Sequence, residues 1–215
     1  MIKKATKKDI ALIKERFIEH YSNAVSELKY TNDFELLIAI ILSAQCTDKR
    51  VNIITPALFK KYPNTKELAQ ANLEDVKELL KSCSFFNNKA KNIISMAKSI
   101  EEKYDSKIPH NTKELMSLAG VGNKTANVFM IEAEGANLMA VDTHVFRVSH
   151  RLGLSFAKTV EQTEVELVKK LKDDLDIFHQ AMVLFGRYIC KAVKPECEKC
   201  FIKECCKTKE TFRVN

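Results

Sequence analysis

The stretch that decides the fold of this 215-residue chain reads Leu118-Ala119-Gly120-Val121-Gly122-Asn123-Lys124-Thr125-Ala126-Asn127-Val128. Two of the five glycines stand here two residues apart, and glycine accepts positive φ and a close approach of another backbone. Upstream, Asn111 and Glu114 have the spacing of a capping box. Downstream, Ala126, Val128 and Phe129 can supply a buried face. The pattern predicts a helix, a tight Gly-x-Gly turn and a second helix.

The predicted turn has the chemistry of an anion site. The N–H groups and positive dipole end at the start of the second helix suit a phosphate such as that of DNA, so Gly120, Val121 and Gly122 are candidate phosphate contacts. Lys124 would carry an amine in the first turn of that helix. A tight turn between two packed helices with no ligand is the alternative, because a single Gly-x-Gly is a weak motif.

The composition indicates a globular helical protein. The chain is 46% hydrophobic and 29% charged, with only five glycines and four prolines. No stretch alternates with period two for long, so we expect an all-α fold with almost no sheet. The 35 basic and 28 acidic residues give a net charge of +7, which suits an anionic partner without identifying one.

Three observations predict a cytoplasmic protein with no membrane partner. The basic residues of the segment 1–9 are not followed by the apolar region of a secretory signal. The longest strongly apolar run, 36–42, is far shorter than a membrane span. Seven cysteines without a secretion signal favour metal ligands or free thiols over disulfides.

Several helices can be placed from capping and periodicity. Apolar residues at helical spacing predict a first amphipathic helix over 7–20. Asn32 and Glu35 predict a cap for an apolar helix over 34–44, which we expect at the centre of a helical bundle because it is hydrophobic nearly all round. The next helix contains Pro56, which we expect to kink or divide it. Asp142 is placed as the N-cap of a later helix.

The cysteines near the C-terminus have the spacing of a metal centre. Five of the seven lie between positions 190 and 206: Cys190, Cys197, Cys200, Cys205 and Cys206. Taken as Cys190, Cys197, Cys200 and Cys206, four thiolates are separated by six, two and five residues and form a closed site for a soft metal. Tetrahedral zinc and a [4Fe–4S] cluster both accept four cysteines, and Cys205 competes with Cys206 for the fourth position.

Taken together, these features resemble the endonuclease III family of the helix–hairpin–helix DNA glycosylases. The resemblance runs from about Asn32 to Cys206. It is carried by Leu36-Leu37-Ile38-Ala39 with Leu42-Ser43-Ala44-Gln45, by the segment 120–128, by Val141-Asp142-Thr143-His144 and by the four-cysteine spacing. It implies a two-lobed all-α protein, with a six-helix barrel domain over 25–136 that holds the hairpin. The second lobe would join residues 1–24 to 137–215 and contain a [4Fe–4S] cluster rather than zinc.

The resemblance also implies site residues. Lys124 and Asp142 match the family's catalytic lysine and aspartate. Such an amine attacks C1′ of a damaged nucleotide, expels the base as a Schiff base forms, and cuts the strand by β-elimination. Gln45 would fill the gap left by the extruded nucleotide and Phe85 would wedge into the opposite strand. The family often has an aliphatic residue at position 85, and burial in the core is the alternative for this phenylalanine. Ala119 replaces a proline that is common before the hairpin.

The sequence therefore predicts a bifunctional DNA glycosylase and AP lyase. Its substrate would be double-stranded DNA with an oxidised pyrimidine or an abasic site, and we expect a monomer. A non-catalytic binder of damaged DNA, using only the hairpin and basic surface, is the alternative from a different class. A zinc-stapled protein-interaction module is a third possibility, which a colourless preparation would support.

Overall fold

A computed structural model describes residues 3–208 of the chain. Within that range the regular structure is entirely helical and contains no strand, which confirms the all-α prediction. None of these helices is long and apolar enough to cross a bilayer. The chain divides into two compact units. We call residues 26–134 the hairpin unit, and residues 3–25 with 135–208 the cysteine unit.

The hairpin unit contains seven helices, two of them with five residues or fewer. They are α2 (Asp33–Ser43), α3 (Asp48–Lys61), α4 (Thr65–Ala69), α5 (Leu73–Leu80), α6 (Phe86–Tyr104), α7 (Thr112–Leu115) and α8 (Asn123–Glu134). Asparagine N-caps recur: the side chains of Asn32, Asn64 and Asn111 each accept a hydrogen bond from the amide three residues on. This matches the capping predicted from the sequence.

Helix α2 lies at the centre of the hairpin unit, as its sequence predicts. All of its side chains from Phe34 to Leu42 are buried except that of Glu35, and the helix packs against α3, α6 and α8. Glu35 remains at the surface, where its carboxylate accepts hydrogen bonds from the amide and hydroxyl of Thr31. Truncating one of these buried leucines to alanine would cost about 2–5 kcal/mol.

The prediction that Pro56 divides its helix is wrong, because α3 runs without a break from Asp48 to Lys61. Pro56 lies on the exposed side of this helix. The opposite face buries Val51, Ile54 and Leu58, and this packing outweighs the loss of one backbone hydrogen bond.

His110 joins two helix ends of the hairpin unit. Its Nε2 lies 2.9 Å from the Asp33 carboxylate at the start of α2, and its Nδ1 contacts the Glu134 carboxylate at the end of α8. Burial lowers the pKa of His110, but the hydrogen bonds to Glu134 and Asp33 outweigh that effect. The net pKa of His110 is therefore raised above its usual 6.5.

The cysteine unit contains the remaining four α-helices of the described chain and the C-terminal loop. They are α1 (Lys7–Tyr21), α9 (Thr143–Arg151), α10 (Val160–Leu171) and α11 (Leu175–Tyr188). Its core is aromatic: the Phe17 ring lies 5.4 Å from the rings of both Phe185 and Phe201, which are 5.1 Å from each other. Phe201 and the buried Ile202 thus anchor the loop of the cysteine cluster to the helices.

Candidate DNA interface, catalytic pair and cysteine cluster

The turn between α7 and α8 contains one glycine that the fold requires. Gly120 has φ +82°, in the left-handed region that favours glycine. A methyl group at this position would lie 3.0 Å from Cβ and 3.1 Å from Nδ2 of Asn92 on α6. Leu118 and Val121, on either side, bury their side chains in the core. Val121 can therefore contact a ligand through its backbone only.

The start of α8 has room for a ligand. The carbonyl of Gly122 accepts the first helical hydrogen bond, from the amide of Ala126 at 3.0 Å. Gly122 is exposed, and a methyl group added there would meet no atom within 4 Å. Since glycine has no side-chain oxygen, position 122 supplies no side-chain cap to the first amides of the helix. The geometry suits an anion placed against this helix end.

Lys124 lies in the first turn of α8, two residues after Gly122. Its side chain is exposed. Among the described residues of the hairpin unit, no carboxylate forms an ion pair with its amine. The amine is therefore accessible to a ligand held at the adjacent helix end.

Gln45 and Phe85 share an unusual backbone conformation. Gln45 has φ 53° in the turn of residues 44–47, between α2 and α3, and Phe85 has φ 58° and ψ 29° in the turn of residues 81–85, between α5 and α6. We call these the Gln45 turn and the Phe85 turn. The left-handed conformation costs a non-glycine residue about 1–2 kcal/mol. Both side chains are exposed, and 63% of the Phe85 surface is accessible. Strain of this kind is often found where a side chain has to be presented to a ligand.

A buried lysine that the sequence analysis did not single out connects these two turns. Lys89, on the first turn of α6, is only 6% exposed. Its amine donates to the carbonyl oxygens of Leu42 and Ala44, at 2.7 and 2.6 Å, and lies 3.3 Å from Sγ of Cys83. The sequence did contain a signal, because Lys89 falls four residues before Ile93 on the apolar face of α6.

Asp142 lies in the cysteine unit and is the N-cap of α9. Its Oδ1 accepts a hydrogen bond from the amide of Val145 at 2.7 Å. This contact fixes the carboxylate at a helix N-terminus, where the helix dipole favours negative charge. Within the described part of the cysteine unit, no side chain forms an ion pair with the carboxylate. His144, next but one along the chain, packs instead against Gly186 and hydrogen-bonds Arg147 through Nδ1.

The four cysteines chosen from their spacing influence one another electrostatically in the C-terminal loop. Cys190, Cys197 and Cys206 each contribute to the raised pKa of Cys200, and all four side chains are partly buried. Cys205 is different: it is 1% exposed, belongs to the hydrophobic core, and its Sγ lies 4.0 Å from the carbonyl oxygen of Asp9.

The donor chemistry of these four cysteines fits a metal centre. All seven cysteines of the chain are free thiols. Burial raises the pKa of Cys200 to about 11 and also raises the pKa of Cys190, so a bound cation has to displace a proton from each of these sulfurs. Among residues 3–208, no three Cys, His, Asp or Glu side chains are arranged to hold a single metal ion.

Two arginines of α9 hold the first cysteine of this set. Arg151 donates to the carbonyl oxygen of Cys190 at 3.1 Å and lies 3.3 Å from its sulfur. Arg147 donates to the same carbonyl at 3.0 Å and to the carbonyl of Gly186 at 2.7 Å. The helix that Asp142 caps is therefore bonded directly to the cysteine loop. The sequence analysis missed both arginines, since nothing in their spacing distinguishes them from surface cations.

Comparison with known proteins places the chain in one family. Residues 38–173 match the HhH-GPD superfamily base excision DNA repair protein family. Endonuclease III of Rickettsia felis is 45% identical over 193 residues, which is 89% of this chain and 91% of that protein. Endonuclease III of Bacillus subtilis is 41% identical over 202 residues, 93% of this chain and 92% of that one.

Solved structures agree with these sequence relatives. A non-covalent Endonuclease III-DNA complex superposes with a TM-score of 0.90 at 40% identity, covering 97% of this chain and 99% of that one. A trapped Endonuclease III-DNA covalent intermediate matches equally well. A thermostable thymine-DNA glycosylase, at 24% identity and a TM-score of 0.80, shares the fold.

Proposed function

The chain belongs to the HhH-GPD superfamily of base excision DNA repair proteins, and on this premise we infer that it is a DNA glycosylase with AP lyase activity of the endonuclease III type. The observation that carries the catalytic assignment is Lys124: an exposed amine, unpaired within its unit, in the first turn of α8 and two residues after the exposed Gly122. The hairpin would hold a DNA phosphate, and the amine would then reach the neighbouring sugar. Oxidised pyrimidines in duplex DNA are the proposed substrates.

We assign the chemical step to the Lys124 amine. Its nitrogen attacks C1′ of the damaged nucleotide, the bond between C1′ and the base breaks, and the base leaves with a proton. The bond between C1′ and the ring oxygen then breaks, the oxygen takes up a proton, and the nitrogen and C1′ form a protonated Schiff base. Removal of a proton from C2′ then expels the 3′ phosphate by β-elimination, and water releases the lysine. Lys124 must be neutral at the moment of attack.

Asp142 supports this step through its charge. Its carboxylate would stabilise the positive charge that develops on the sugar as the base departs, and would help to transfer protons. The hydrogen bond from the Val145 amide to Oδ1 holds the group in one orientation and leaves Oδ2 available. The Asp142 carboxylate can therefore cap α9 through one oxygen and take part in catalysis through the other.

Recognition of the lesion needs the nucleotide to leave the stack, which costs a few kcal/mol. We propose that Gln45 occupies the gap and that Phe85 enters the opposite strand. The strained, exposed conformations of both residues support this assignment. Gly120, Val121 and Gly122 would contact the phosphate backbone through their main chain, which fixes the register of the enzyme on the duplex.

We propose that Cys190, Cys197, Cys200 and Cys206 hold a [4Fe–4S] cluster. Four sulfurs bound to one zinc ion at about 2.3 Å would lie only about 3.8 Å from one another. A cluster of four irons needs its four cysteine sulfurs to lie farther apart. A bound cluster would crosslink the C-terminal loop, and Cys205 would remain a core residue.

The two compact units support the proposed architecture. The hairpin unit would form the six-helix barrel lobe and the cysteine unit the iron–sulfur lobe, with a boundary near residues 26 and 134. We further propose that the protein is cytoplasmic, since free cysteines and a thiolate-held cluster suit a reducing compartment, and that it acts as a monomer.

A strand-cleavage assay on duplexes containing thymine glycol tests the function. The expected result is base release together with a nick that forms without alkali, since the lyase step follows excision on the same lysine. Asp142→Asn is a sharp variant, because asparagine retains the N-cap while removing the charge. We expect it to fold as the wild type and to lose at least tenfold in activity. Tight binding of damaged DNA with neither base release nor cleavage would instead identify the chain as a non-catalytic binder.

A further inference from the structure

We propose that Lys89 is a positioning residue for lesion extrusion, which holds the Gln45 turn and the Phe85 turn in a fixed relation so that both side chains enter the duplex together. The inference rests on the proposed function, because it takes the two turns as the parts that enter DNA. It adds a residue that touches neither DNA nor the reacting atoms.

The contacts of Lys89 reach both turns from one residue. Its side chain donates to the carbonyl of Ala44, the residue directly before Gln45. Its backbone amide donates to the carbonyl of Phe85 at 3.1 Å. The main chain of Lys89 is therefore bonded to one strained residue and its side chain to the neighbour of the other.

The remaining contacts make this link rigid. The amine of Lys89 also donates to the carbonyl of Leu42 and contacts Cys83 Sγ, so each of its three N–H donors has an acceptor. Cys83 lies in the Phe85 turn, and its own sulfur is 3.5 Å from the Leu42 carbonyl. The two turns are thus crosslinked at their bases by a closed set of hydrogen bonds, with no freely rotating donor.

Packing alone does not explain a lysine at this position. The site is buried, and taking an amine out of water is unfavourable unless its hydrogen bonds are complete. The N-terminal turn of α6 is also an unfavourable place for a cation. The ammonium group itself lies at the C-terminal end of α2, where a cation is favourable because the last carbonyls of that helix have no helical partner. An apolar side chain would fill the same space but would leave those carbonyls unbonded and the two turns free to separate.

The test compares two substrates with one set of variants. The first substrate is a duplex with thymine glycol in a base pair, which requires extrusion. The second has an abasic site facing a one-nucleotide gap, where no base has to be extruded and no opposite base has to be displaced. The measured quantity is the single-turnover rate on the thymine-glycol duplex divided by the rate on the gapped abasic-site duplex. It is determined for wild type, Lys89→Met and Lys89→Arg.

We expect Lys89→Met to lower this ratio at least about tenfold, while cleavage at the gapped abasic site stays within about threefold of wild type because no base has to be extruded there. Lys89→Arg keeps donors for both carbonyls and should recover part of the ratio. Ile100→Val, in the core on the same helix, is the matched control that lowers stability without touching either turn. It should leave the ratio unchanged.

A purely structural role for Lys89 would reduce both rates by the same factor in Lys89→Met, and this outcome overturns the proposal. An unchanged ratio in a folded Lys89→Met also overturns it. If Lys89→Met does not fold, Lys89→Gln decides, because its shorter side chain cannot bond both carbonyls: a ratio equal to wild type with a lower melting temperature contradicts the positioning role. Failure of the proposed function would look different, because the wild type itself would then cleave neither substrate.

Discussion

Replacing Gly120 or Gly122 of the hairpin with alanine should have separate effects on stability and on DNA binding. Gly120→Ala places a side chain at φ +82° and a carbon 3.0 Å from Asn92 Cβ. The backbone strain costs about 1–2 kcal/mol, and the crowding adds about 1–3 kcal/mol if Asn92 has to move. The expected loss of stability is about 2–5 kcal/mol in total. Gly122→Ala meets no neighbour and loses only about 0.5 kcal/mol as a poorer N-cap.

The DNA affinities should follow a different order from the stabilities. The methyl group of Gly122→Ala would occupy the space proposed for a phosphate, so we expect at least a tenfold weaker affinity for abasic-site DNA. The slope of log affinity against log salt should not change, because no lysine or arginine is removed. Thermal unfolding and fluorescence anisotropy at several salt concentrations measure both properties. Wild-type affinity in Gly122→Ala would refute the proposed binding of a phosphate at this turn. Wild-type stability in Gly120→Ala would refute the argument from backbone strain.

Three further predictions concern other parts of the protein. Phe85→Ala should change the stability by less than about 0.5 kcal/mol, because the ring is exposed, yet slow excision from a paired duplex at least tenfold in single-turnover assays. Cys200→Ser should remove most of the iron per chain, measured by elemental analysis, whereas Cys205→Ser should retain it; equal iron loss in both would contradict the ligand set. His110→Gln should lower the urea midpoint at pH 6 and have less effect at pH 9. The raised pKa of His110 gives stability that is present below pH 6.5 and lost as the pH rises through the folded-state pKa, so a pH-independent effect would contradict its ion pairs.

The main features of the hairpin unit could be predicted from the sequence because they depend on local rules. Asparagine caps, the all-apolar run of α2 and the two glycines of the turn each specify a conformation within a few residues. The turn prediction did not distinguish the two glycines. Two features separate them: Gly120 has a φ of +82° and lies against Asn92, which is distant in sequence, whereas a methyl group at Gly122 would meet no atom within 4 Å.

The residues that the sequence analysis missed act through long-range contacts. Lys89 bonds carbonyls 45 and 47 positions away, and Arg147 and Arg151 reach a carbonyl 43 and 39 positions away. A backbone carbonyl has no sequence signature, so a cation that bonds one cannot be recognised from its partner. The unbroken helix through Pro56 has a similar cause, since burial of the opposite face outweighs the local preference of one residue.

The role of Phe85 could be predicted only in part from the sequence. The sequence left core packing and insertion into DNA open for this ring, since phenylalanine is often buried. The observed exposure and left-handed backbone favour insertion, although neither follows from the residue type. A conformation of this kind depends on the surrounding hydrogen bonds, here those that Lys89 makes to both turns.

The most direct test of the central claim is borohydride trapping on abasic-site DNA followed by peptide mapping. Borohydride reduces the Schiff base to a stable amine, so the wild type should give a covalent complex with its adduct on Lys124. Lys124→Ala alters an exposed side chain and should fold normally, bind the DNA and give no complex. A complex formed by Lys124→Ala as efficiently as by wild type, or an adduct mapped to another residue, would contradict the assignment of Lys124 as the nucleophile.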